Sequence, residues 1–115
     1  MTYNPQIPEW GEKYLENNKK NLVKYHEWLS TTGVKTGLIS PKKDQYIWDE
    51  FIVHSLYFYK LIEDLNLENK DLFDIGTGGG IPGIPISIVN KAKVTLIDNK
   101  TSRIYELQRL IKILR

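Results

Sequence analysis

Apolar residues follow two different rhythms along the chain, and the change between them falls near residue 70. Residues 1–8 are polar, carry Pro5 and Pro8, and read as an extended lead-in. From Glu9 to about Ser30 the pattern is helical, with Leu22, Tyr25, Trp28 and Leu29 on one face. Trp10, Tyr14 and Leu15 mark a separate short helix, weakened by Gly11 within it. Thr31 to Gly37 is a loop. Ser40-Pro41 then reads as a helix start, a capping hydroxyl followed by proline at the first helical position. The helix runs to about Leu65, with Ile47, Trp48, Phe51, Ile52, Ser55, Leu56, Tyr59 and Ile62 as a wide core-facing stripe. His54 stands beside that stripe and reads as a structural histidine.

After a polar turn at 66–70 the rhythm shortens. Leu72–Ile75 and Lys93–Ile97 are near-continuous apolar runs, the pattern of parallel strands covered on both faces. A helix of about Ile84–Asn90 separates them, and a second follows from about Thr101 to Leu114. The buried side of that second helix is Ile104, Leu107, Leu110, Ile111 and Leu114. The reading is an α/β chain in two parts: a helical region over 1–70, then a partial Rossmann-like βαβα unit over 71–115 that binds a cofactor.

The turn after the first strand carries the chemistry. Gly76, Gly78 and Gly80 alternate there, and the helix that follows points its unpaired N–H groups at whatever binds. Asp98 ends the second strand, 20 residues after Gly78, where a carboxylate can accept hydrogen bonds from ribose hydroxyls. The site suits an adenosine-containing cofactor, and two classes compete. Gly78, Gly80 and Gly83 satisfy the dinucleotide pattern G-x-G-x-x-G of an NAD-dependent oxidoreductase. Against this, Asp74 would repel a pyrophosphate, and Pro82 and Pro85 crowd the helix start; Pro85 is acceptable at a first helical position. The order Asp74-x-Gly76-x-Gly78-x-Gly80 suits S-adenosylmethionine instead, whose ammonium Asp74 would favour.

The run from Asp74 through Gly80-Ile-Pro-Gly-Ile-Pro85 to Val89 resembles the small-subunit (16S) ribosomal RNA guanine-N7 methyltransferases, the glucose-inhibited division protein B family. Val94-Thr-Leu-Ile-Asp98, Lys100 and Arg103 continue the likeness, which is strong over 72–110 and looser over 20–65. Gly37-Leu38-Ile39 replaces the family's Asn-Leu-Thr, and Phe51, His54 and Ser55 stand in its His-x-x-Asp-Ser stretch. The resemblance implies the N-terminal half of a class I methyltransferase fold preceded by an α-helical region. It implies methyl transfer from S-adenosylmethionine to guanine N7 in 16S ribosomal RNA or the small ribosomal subunit. Asp74, Gly76, Thr77, Gly78, Gly80 and Asp98 would hold the cofactor, and Lys100 and Arg103 would contact adenosine or RNA phosphate. Guanine N7 has a lone pair and no proton to lose, so no catalytic base is expected. The family's sheet has seven strands and this sequence supplies two. The chain therefore reads either as a fragment of a longer methyltransferase or as a truncated, inactive member that retains only cofactor or RNA binding, and its two-stranded sheet as marginal.

Composition narrows the remaining classes. There is no cysteine, hence no disulfide or thiolate metal site, and His26 and His54 lack ligand spacing. No metal is expected. No apolar run is long enough for a membrane span, and the expected location is the cytoplasm. Net charge is only +2, but it is unevenly placed. Lys100, Arg103, Arg109, Lys112 and Arg115 face a single acid, Glu106, and Lys19, Lys20 and Lys24 form a second basic stretch. Each taken alone is most simply a solvated helix face; either also suits a phosphate backbone.

Overall fold

The computed structural model describes residues 2–90 and 93–115. The N-terminal segment is extended and leads through a tight turn at Glu9–Gly11 into α1 (Glu12–Leu15) and α2 (Lys19–Trp28). Helix α2 continues through one wider, π-type turn at Leu29–Gly33. The long helix α3 spans 44–64 as three consecutive pieces, Asp44–Tyr46, a π-type stretch Ile47–Val53, and His54–Asp64. Strand β1 (Leu72–Ile75), helix α4 (Gly83–Val89), strand β2 (Val94–Ile97) and helix α5 (Thr101–Leu114) complete the described chain.

The two strands pair in parallel, with Leu72 opposite Val94, Asp74 opposite Leu96 and Ile75 opposite Ile97. One core serves helices and sheet together. Leu22, Tyr25 and Leu29 of α2, Ile47, Trp48, Ile52 and Leu56 of α3, Ile84 and Ile86 of α4, and Leu107 and Leu110 of α5 are all buried in it. The apolar stripe read on α3 is therefore its core side, and Phe51 and Ile62 lie half-buried at its margins. His54 stands outside the core, exposed, its ring stacked on Phe58 with centroids 5.5 Å apart.

Besides the loop expected at 31–37, whose first residues continue α2 as its wider turn, three expectations need correction. Helix α3 begins at Asp44 rather than at Pro41, which lies in an exposed lead-in. The start is chosen by tertiary partners. Gln45 exchanges hydrogen bonds with the main chain of Asn4, 2.7 Å and 3.1 Å, and Thr2 donates to the Asp44 carboxylate. The indole of Trp48 donates to the Gln6 carbonyl at 2.8 Å, and His26 Nε2 lies 2.8 Å from the Asp44 carbonyl. These contacts strap residues 2–6 across the first turns of α3 and decide where it can begin. Pro85 is the third residue of α4 rather than the first. That position costs little, because none of the first four helical N–H groups has an intrahelical partner.

The third correction concerns the sheet. The helices cover the face that carries Leu72, Val94 and Leu96. The opposite face of β1 is open: Phe73 is 64% exposed and Ile75 79%. An apolar run thus covers a strand buried on one face only. The expected consequence is a sharp asymmetry. Leu107→Ala, in the shared core, should cost about 2–5 kcal/mol, whereas Phe73→Thr or Ile75→Thr should change stability by less than about 0.5 kcal/mol. Urea unfolding of the three variants measures both, and a large loss for Ile75→Thr would show that this face is packed.

Candidate functional site

The site is the turn between β1 and α4 together with the end of β2. The parallel ladder does not stop at Ile75. The N–H groups of Gly76 and Thr77 both donate to the Ile97 carbonyl, at 2.8 Å and 3.0 Å, so the turn leaves the sheet pinned to the neighbouring strand. It then reverses through Gly76, Gly78 and Gly80, whose φ angles are +76°, +57° and +90°. Residues with a side chain rarely hold such values. At Gly76 and Gly78 an added Cβ would meet no atom within 4 Å, so the main chain there borders open space.

Asp74 builds the turn from the strand side. Its Oδ2 accepts a 2.7 Å hydrogen bond from Thr77 Oγ1 and a 2.9 Å bond from the N–H of Gly83, the first residue of α4. Thr77 is buried with its hydroxyl spent on this bond. Asp74 and Thr77 were both expected at the cofactor, and both are positioned first of all as the internal brace of the loop.

The brace imposes a condition on Gly83. A Cβ there would lie 2.3 Å from Leu96 Cδ2 and 2.8 Å from Asp74 Oδ2. In the sequence Gly83 belongs both to a competing dinucleotide pattern and to the family-like run from Gly80 to Pro85, neither of which gives it a role. Its role here is to let helix and strand approach.

A second member absent from the sequence reading is Tyr25. Its hydroxyl, fully buried, donates to the Gly79 carbonyl at 2.7 Å, supporting the turn from the α2 side. Burial, and then the negative charge of Asp74, push the Tyr25 hydroxyl well above the ordinary phenol range, so it remains a donor. The one trace of this in the sequence is a tyrosine on an apolar helix face, which must find a partner for its hydroxyl.

Asp98, just past β2, closes the site. Its Oδ2 accepts from the Gly78 N–H at 2.9 Å and its Oδ1 from the Lys100 N–H at 3.0 Å. Arg103 Nη1 approaches both oxygens at 3.3 Å and 3.4 Å, and the carboxylate side chain is 2% exposed. The Lys100 N–H first, then the Gly78 N–H and the Arg103 charge, hold the Asp98 carboxyl below the usual carboxylate range. The structure thus brings Asp74, Gly76, Thr77, Gly78, Gly80 and Asp98 into one loop cluster. It turns Arg103 inward onto Asp98, and it leaves the Lys100 side chain exposed. Among the described residues there is no group of three or more His, Asp or Glu placed to hold a metal ion. Nor is any helix among them long and apolar enough to cross a membrane.

Two outcomes follow from this geometry. Gly83→Ala should destabilise the fold by about 1–3 kcal/mol through overpacking; a melting temperature equal to the parent's would show that the helix can retreat. A group with a lowered folded value stabilises above its unfolded value near pH 4, and that contribution disappears as pH falls through the folded value. Asp98→Asn should therefore narrow the gap between urea midpoints measured at pH 6 and pH 2.5. Parallel curves for the variant and the parent would remove Asp98 from the acid response.

The family model described as rRNA small subunit methyltransferase G matches residues 18–115. The chain is 28% identical over 111 residues to the Ribosomal RNA small subunit methyltransferase G of Streptomyces coelicolor, covering 96% of this chain and 45% of that protein. It is 36% identical over 92 residues to the protein of the same name from Mycobacterium sp. (strain JLS), covering 79% and 39%. For Mycobacterium sp. (strain KMS) the figures are 35% over 108 residues, 93% and 46%. The chain spans a little under half the length of these relatives. The family-model match over residues 18–115, together with relatives 35% and 36% identical over most of the chain, places the chain in the rRNA small subunit methyltransferase G family.

Proposed function

We propose that the chain carries the cofactor-binding part of a ribosomal RNA methyltransferase of Rossmann-like, class I type. In this reading residues 1–70 are the helical region that supports the site, and residues 71–115 are the βαβα unit that holds S-adenosylmethionine. The observation that carries the reading is the open space beside Gly76 and Gly78, at positive φ, next to a carboxylate 20 residues on. A cofactor can lie against bare main chain there, and any side chain at Gly78 would both strain the backbone and fill the space.

The residues present fit a nucleoside with a cationic end. Asp74 supplies negative charge under the turn, which favours an ammonium or sulfonium and disfavours a pyrophosphate. Asp98 is the ribose acceptor. Its two main-chain bonds are short and fixed, whereas the Arg103 contacts are long and involve a flexible side chain. Arg103 is accordingly the partner that yields when hydroxyls arrive. When bound, S-adenosylmethionine supplies an electrophilic methyl group. The chain's part is to fix the donor's orientation; a guanine N7 nucleophile carries no proton, and nothing in the cluster has to act as a base. The substrate is 16S ribosomal RNA or the small subunit, in the cytoplasm; what supports the choice of substrate is the relatives' name, Ribosomal RNA small subunit methyltransferase G.

Calorimetric titration with S-adenosylhomocysteine and, separately, NADH tests the assignment. Saturable binding of the first and none of the second is expected. Gly78→Val should abolish that binding while far-ultraviolet circular dichroism keeps the helical signal. An unchanged isotherm in Gly78→Val, or preference for NADH, would overturn the reading.

A further inference from the structure

The two basic stretches, unremarkable singly, lie on helices that are neighbours in the folded chain. Helices α2 and α5 pack against each other, and the Asn21 side chain donates to the Leu114 carbonyl at 3.3 Å. Lys20 and Lys24 are one turn apart on α2, and Tyr105, Arg109 and Lys112 follow each other at helical spacing on α5. Lys24 is half-buried and the other four are exposed. The apolar side of α5, Leu107 and Leu110, is spent on the core, so these residues face solvent.

Stability does not explain the charges. Lys19 and Lys20 open α2, and its first turn holds no acid. Cations at a helix N-terminus oppose the macrodipole and cost stability rather than adding it. The nearby acids are few. Glu106 reaches Arg109 at 4.0 Å, and Glu27 lies one turn beyond Lys24. Among the described residues Lys19, Lys20, Lys24 and Lys112 form no ion pair. Tyr105, on the same helix as Lys112, is 58% exposed, with the Arg109 guanidinium 5.9 Å from its ring centroid. An exposed ring beside a planar cation is a stacking platform for a nucleobase, and flanking lysines suit the phosphates.

We infer that the solvent face of α2 and α5, formed by Lys20, Lys24, Tyr105, Arg109 and Lys112, is an RNA-binding surface that takes a single strand along α5 with a base on Tyr105. The inference rests on the ribosomal RNA reading above for its choice of ligand and extends it to residues outside the cofactor turn. From Thr101 to Lys112 the helix rises about 17 Å at 1.5 Å per residue. The strand would therefore be gripped at a distance from the glycine turn, as suits a large structured substrate. An acidic protein would use the charges but not the ring. A membrane surface would need the apolar side of α5, which is buried.

Fluorescence anisotropy with a 20-nucleotide single-stranded RNA, over a salt series, tests the surface. Lys20→Ala/Lys24→Ala/Lys112→Ala should lower the slope of log affinity against log salt by about 2, from roughly 0.7 per lost phosphate contact. Tyr105→Ala should weaken binding about tenfold or more and leave the slope unchanged. Parent-like affinity and slope in the triple variant would overturn the proposal. So would equal binding of the parent to polyglutamate or to anionic phospholipid vesicles. S-adenosylhomocysteine binding, measured on the same variants, should be unaltered, and its loss in the triple variant would count against a surface separate from the turn. RNA binding without cofactor binding in the parent would sink the cofactor assignment alone; the reverse would sink this surface alone.

Discussion

One oxygen atom holds the site together. Asp74 Oδ2 receives the Thr77 hydroxyl and the first N–H of α4 at once, so strand, turn and helix meet at a single acceptor. An ionised acceptor is well suited to this, because hydrogen bonds to charge are stronger than neutral ones and a helix N-terminus favours a negative group. The geometry leaves no room for a side chain at Gly83, and it fixes where the positive-φ glycines must fall. Tyr25 then supports the far side of the same turn through the Gly79 carbonyl. A loop that would otherwise be the softest part of the sheet is tied to β1, β2, α2 and α4.

The second carboxylate has a different character. Asp98 is surrounded by donors, and its three partners are unequal: two are main-chain N–H groups whose positions the fold dictates, and one is an arginine at the edge of hydrogen-bonding distance. The fixed donors keep the group ionised and oriented, and the adjustable one occupies the acceptor capacity that remains. Arranged in this way, the carboxylate is not left as an unpaired buried charge. Asp74 braces the loop from within and Asp98 ties it to the end of β2, a division that identical residue types could not reveal in the sequence.

What the sequence made legible follows from the range of the forces involved. Strand β1 and helix α5 are found where they were read, because a local apolar period decided them. The glycine turn was legible because its torsions restrict residue type at the turn itself. The start of α3 was misread because Ser40-Pro41 is a local cue, and contacts from residues 2–6, some forty positions away, override it. Tyr25 was missed as a support for the turn for the same reason: its partner lies 54 residues on. The one-sided burial of β1 was hidden because Phe73 and Ile75 are apolar whether or not anything covers them.

The same distinction bears on the two basic stretches. A charge run on a single helix is ambiguous, since a solvated face and a binding face have the same composition. Folding removes part of the ambiguity by deciding which helices are neighbours. When α5 buries Leu107 and Leu110 against the core, it turns Tyr105, Arg109 and Lys112 outward, on a helix packed against the one whose N-terminus carries disfavoured lysines. The core thereby dictates the surface. The apolar period of α5 sets not only what is buried but also which cations and which aromatic ring are presented together, and that joint presentation distinguishes a recognition surface from scattered solvation.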